Sequence, residues 1–118
     1  MKKLFRIVLV STLSFMSFSC YYDELQEETI PIIAEDVLFA TDIQPIFNMN
    51  NCMQCHNADR SPDLREGRAY SSLVPTYVIP NNADGSRLYI QLDEGHRGLR
   101  TSQLALIKAW INQGALNN

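Results

Sequence analysis

The run Cys52-Met53-Gln54-Cys55-His56 constrains this chain more than any other feature. It sets two thiols three positions apart with an imidazole immediately after them. Several chemistries use such a pair, and most ask for more than this sequence supplies. A structural zinc site needs a second pair of ligands, and outside the run the chain offers only Cys20 and His96. A thioredoxin-like redox pair needs a strand before the motif and a long helix after it, whereas turn-forming residues follow here. A disulfide between Cys52 and Cys55 would close too short a loop to stabilise much.

Cys-x-x-Cys-His is the attachment signature of c-type haem. Thiols at this spacing, at the start of a helical turn, reach the two vinyl groups and form thioethers. The adjacent His56 then points its imidazole at the iron as proximal ligand. The spacing therefore predicts one covalent haem c, with Cys52, Cys55 and His56 as the binding residues.

Charge divides the chain into three parts. Residues 1–19 hold Lys2, Lys3 and Arg6 and no acid, and residues 21–38 hold Asp23, Glu24, Glu27, Glu28, Glu35 and Asp36 and no base. From Phe39 onward seven acids face seven bases, so this part is near neutral. No basic stripe of the kind that holds nucleic acid is present. The first part has positive residues followed by an apolar stretch from Leu4 to Phe18, which reads as a secretory signal peptide over 1–19. Cys20 resembles the lipidated cysteine of a bacterial lipoprotein. Ser19 fits the small residue before the cut, while Ser17 stands where that motif usually has Leu. Acylation of Cys20 would anchor the exported chain to a membrane of the cell envelope, periplasmic or outer. Residues 20–38 then form an acidic tether. One lipid anchor and two thioethers would use all three cysteines.

The remaining 39–118 form the expected domain. At about 80 residues, its own core is marginal without a staple such as a bound metal group. A first helix is expected from a Thr41 cap, with Ile43, Ile46 and Phe47 on one side and Asn48, Asn50 and Asn51 closing it. A polar loop follows over 57–67. Short helices are expected at Ala69–Leu73 and Arg87–Leu92, with a turn at Ile79–Asn82 and a glycine-flanked loop at Asp93–Gly98. The clearest helix is the last. Thr101 or Ser102 caps it, Leu104, Ile107 and Ile111 form its stripe beside Trp110, and Gly114 ends it. No segment alternates long enough to argue a sheet.

Three blocks in order resemble the small single-haem c-type cytochrome domains of bacterial exported lipoproteins. The first runs from Phe39 through Asp42-Ile43-Gln44-Pro45-Ile46-Phe47 to the Cys52–His56 motif. The second is Val78-Ile79-Pro80-Asn81-Asn82-Ala83-Asp84-Gly85-Ser86-Arg87-Leu88. The third is Leu104-Ala105-Leu106-Ile107-Lys108-Ala109-Trp110-Ile111-Asn112-Gln113-Gly114-Ala115. The resemblance implies an all-α, cytochrome c-like fold around one covalently attached haem. It also implies that the first and last helices pack together, with Ile43, Phe47, Leu104, Ile107 and Ile111 as core candidates.

The family commonly takes its second axial ligand from a Met-Pro loop before the last helix. This chain has no methionine after Met53. His96, in the loop before the last helix, is the candidate replacement, giving His56 and His96 as the iron ligands. Arg87, Arg97 and Arg100 lie near the same region, where one could pair with a haem propionate. The expected function is electron transfer with unidentified redox partner proteins, not catalysis, because no acid–base pair or activated nucleophile is visible. The alternative is a haem-based small-ligand sensor, which follows if His96 leaves the iron open.

Overall fold

The computed structural model describes Met1, Lys3, Ile33 and residues 36–118. Cys20, nearly all of the expected signal segment and most of the acidic linker lie outside the described residues. Among the described residues the protein is helical and forms no strand, only an isolated bridge between Ile79 and Asn82. A thioredoxin-type use of the two cysteines would need a strand ahead of them, and no strand forms among the described residues. No helix among the described residues is long and apolar enough to cross a membrane.

The first element begins earlier than its Thr41 cap predicted. A wide helical turn at Phe39–Ile43 leads into α1, Gln44–Met49. Leu38 is its N-cap, and the Asp42 carboxylate accepts the Leu38 N–H at 2.7 Å. Asp42 therefore satisfies an orphan donor of the helix start, a task the sequence suggested for Thr41. Pro45 sits in the first turn of α1, where a missing N–H costs nothing. At the other end, the Asn50 amide donates to the Ile46 carbonyl at 2.7 Å, and Asn51 turns left-handed at φ 52°. Asparagine tolerates that conformation better than most residues, so the asparagine cluster ends the helix just before Cys52.

Three further helices follow: α2, Ala69–Leu73; α3, Arg87–Asp93; and α4, Thr101–Asn112. The first two match expectation closely. The cap of α4 is Arg100, one residue before Thr101, and the Gln103 side chain accepts the Arg100 N–H at 3.1 Å. Gln103 at the third helical position reaches back over the first turn as in a capping box.

The core forms where α4 meets the opening turn and α3. Ile43, Phe47, Ile107, Trp110 and Ile111 are all at most 1% exposed. Leu104 is only partly buried and packs on the edge of this cluster. Phe39, Tyr70 and Trp110 pack ring against ring, with centroids 5.2 to 6.4 Å apart. The polar tips of the larger rings are satisfied: Tyr70 donates to the Ala115 carbonyl at 3.0 Å and Trp110 to the Leu116 carbonyl at 2.9 Å. Packing also reaches back beyond residue 39. Val37 is buried, and its N–H donates to Gln113 Oε1 at 2.9 Å, so the folded unit includes the last residues assigned to the linker.

The segment 78–88 is knotted by Ser86. Its buried hydroxyl accepts the Ile79 N–H at 2.9 Å and donates to the Asn82 carbonyl at 2.7 Å. Gly85 leaves room for the Asn82 side chain, which a Cβ there would approach to 2.5 Å and displace. Asn81 N–H donates to the Ile111 carbonyl at 2.8 Å and Ala83 N–H to Asn112 Oδ1 at 3.0 Å. These bonds fix the start of α3 against α4, and α3 in turn forms one wall of the candidate site.

Candidate haem site

Cys52 opens a tight helical turn, Cys52–Gln54, immediately after left-handed Asn51. The Cys52 carbonyl accepts the N–H groups of Cys55 at 3.2 Å and His56 at 2.9 Å. That single turn brings both thiols and the imidazole to one cavity of about 400 Å³. Both cysteines are free thiols, Cys52 buried and Cys55 exposed. Burial pushes the Cys52 thiol above its ordinary pKa, and the nearby Arg97 guanidinium offsets part of that rise.

The opposite wall comes from α3 and the loop after it. Gly95 is left-handed at φ 95°, its N–H donates to the Leu92 carbonyl at 3.1 Å, and the His96 N–H donates to the Gln91 carbonyl at 3.1 Å. This is a Schellman closure of α3, with Gly95 at the left-handed position and His96 directly after it. His96 is thus placed by the way the helix ends. Its ring faces His56 with centroids 6.1 Å apart and planes at 77°. A metal bond of about 2 Å to a nitrogen of each ring is of the same order as this separation.

Phe47, Leu64, Leu88 and Leu92 give the cavity apolar walls, and Arg60, Arg87 and Arg97 give it positive charge. Among the described residues no Asp or Glu lines it. Arg87 also stacks over the Tyr77 ring at 5.7 Å. Of the three arginines expected near this region, Arg87 and Arg97 line the cavity and Arg100 does not. Arg60 does, although its place in a polar loop gave no sequence signal. Met49 is 66% exposed, and neither Met49 nor Met53 lines the cavity.

These residues fit a haem. Its ring needs apolar walls, its propionates need cations, and its iron needs imidazole. His56 Nδ1 is buried without a hydrogen-bond partner. Such an atom in a native fold calls for an explanation, and a role in ligation or its support is one. No group of three or more His, Cys, Asp or Glu side chains gathers as a metal cage among the described residues.

Comparison with protein-family models, with curated proteins and with solved structures finds no match to this chain.

Proposed function

We propose that this chain is a small c-type cytochrome that carries electrons in the cell envelope. The observation that carries this reading is the convergence of Cys52, Cys55, His56 and His96 on one apolar cavity, with the two imidazoles 6.1 Å apart. Cys52 and Cys55 would hold the haem covalently, and His56 and His96 would ligate its iron. When bound, the haem supplies a one-electron couple. The chain's own residues would give it apolar walls, hold both imidazoles and present cations to its carboxylates. Two imidazoles donate more strongly than imidazole plus thioether, so the potential lies below that of a methionine-ligated relative. The signal segment, Cys20 and the acidic tether would deliver the domain to a membrane surface and let it reach redox partners.

His96→Ala tests the ligand assignment. The expected variant keeps its haem, loses the six-coordinate low-spin ferrous spectrum and binds carbon monoxide rapidly. An unchanged spectrum and midpoint potential would show that His96 is not the ligand. One observation favours a second reading, a small-ligand sensor: His96 is exposed, in a loop flanked by Gly95 and Gly98. Rapid stoichiometric carbon monoxide binding by the unaltered ferrous protein would favour that reading.

A further inference from the structure

Arg97 directly follows the imidazole that faces His56, and its backbone is left-handed at φ 69°. L-residues other than Gly, Asn and Asp seldom take that conformation, so something must hold it. Its guanidinium provides one hold. Arg97 Nη2 donates to the Asn51 carbonyl at 3.0 Å, linking positions 46 residues apart in the sequence. Asn51 is the residue before Cys52, and its carbonyl also accepts the Gln54 N–H at 3.2 Å within the attachment turn. The bond therefore joins the loop bearing one imidazole to the turn bearing the two thiols and the other imidazole.

We infer that Arg97 is a positioning residue, a latch that holds the His96 loop closed over the cavity against the Asn51–His56 turn. This inference rests on the haem reading above and extends it to a residue that touches neither iron nor thioether. Among the described residues, the backbone hydrogen bonds that anchor His96 are local. The Schellman bonds fix its backbone to α3, but they do not fix α3's loop to the opposite wall. Arginine suits the task because its long, planar, always charged group gives a charge-assisted bond to a carbonyl. The bond is solvent-exposed, so it is a weak latch. It sets how often His96 swings away, not whether the domain folds.

The test uses the full chain matured with haem, in unaltered form and as Arg97→Ala, Arg97→Lys, His96→Ala and the double variant His96→Ala/Arg97→Ala. A pyridine haemochrome assay on each comes first. Absence of haem c from the unaltered chain would sink the haem reading itself, separately from the latch. With haem present, Arg97→Ala is expected to speed carbon monoxide combination with the ferrous protein by about fivefold, the order of one modest hydrogen bond. Arg97→Lys should recover part of the difference. The double variant should react no faster than His96→Ala alone, because the latch acts through His96. Amide exchange at His96 and Gly98 should also quicken in Arg97→Ala. Arg97→Ala with unaltered combination kinetics and exchange would overturn the latch. So would an equal acceleration by Arg97→Ala in the His96→Ala background, which would place Arg97 at the cavity entrance rather than behind His96.

Discussion

Replacing Gly95 by Ala tests how strongly one backbone conformation sets the site. No atom beyond its chain neighbours lies within 4 Å of where the new Cβ would be, so the main cost is the left-handed φ of 95°. A loss of about 1 kcal/mol is expected in a urea titration, with little change in the core. Asp63 offers a second residue-scale prediction. A side-chain hydrogen bond from the Arg65 guanidinium holds its carboxyl down to about 2. A depressed carboxylate stabilises the fold above its unfolded pKa of about 4 and loses that contribution as pH falls towards 2. The pair is exposed, so the effect is small and screened by salt. Asp63→Asn should therefore narrow slightly the stability difference between pH 5 and pH 2 at low ionic strength, and salt should erase the change. At this scale Cys52, Cys55 and His56 are readable from the sequence because their spacing alone brings them to one wall. Arg60 is not readable, because its position depends on the path of the 57–67 loop.

At the scale of elements, α4 was the easiest helix to foresee and shows where periodicity stops informing. Its stripe of Leu104, Ile107 and Ile111 follows helical spacing, yet Ile107 and Ile111 are fully buried and Leu104 lies at the rim. Spacing gives the face of a helix, and only the neighbours decide how deep each position sits. Ile107→Ala should cost about 2–5 kcal/mol and Leu104→Ala distinctly less, under about 2 kcal/mol, because a rim site can relax and rehydrate. Thermal or denaturant unfolding of the two variants compares them directly. The opening helical turn at Phe39–Ile43 and α4 each start a residue or more before the expected place, for one reason. Threonine and serine are good caps, but Asp42 and Gln103 reach back to the Leu38 and Arg100 N–H groups from inside their helices. Such reach-back bonds depend on rotamers that a residue-type preference does not encode.

For the molecule as a whole, two halves of the sequence converge on one cavity. The attachment turn follows α1, the facing imidazole follows α3, and α4 packs against both the opening turn and α3. The absence of sheet among the described residues was legible. His96 was legible as the candidate to face His56, since no methionine follows Met53. The 6.1 Å approach of their rings was not, because it depends on the Schellman end of α3 and on packing between distant segments. A domain of this size has little core to spare, and filling the cavity between these walls with a covalently held apolar ring would add to it. The most direct measurement is a pyridine haemochrome assay on the chain matured in a bacterial periplasm, paired with thiol titration of the denatured protein. One haem c per chain, retained through denaturation, with neither Cys52 nor Cys55 free to react, is the expected result. Protein that carries no covalent haem and keeps both thiols reactive would contradict it.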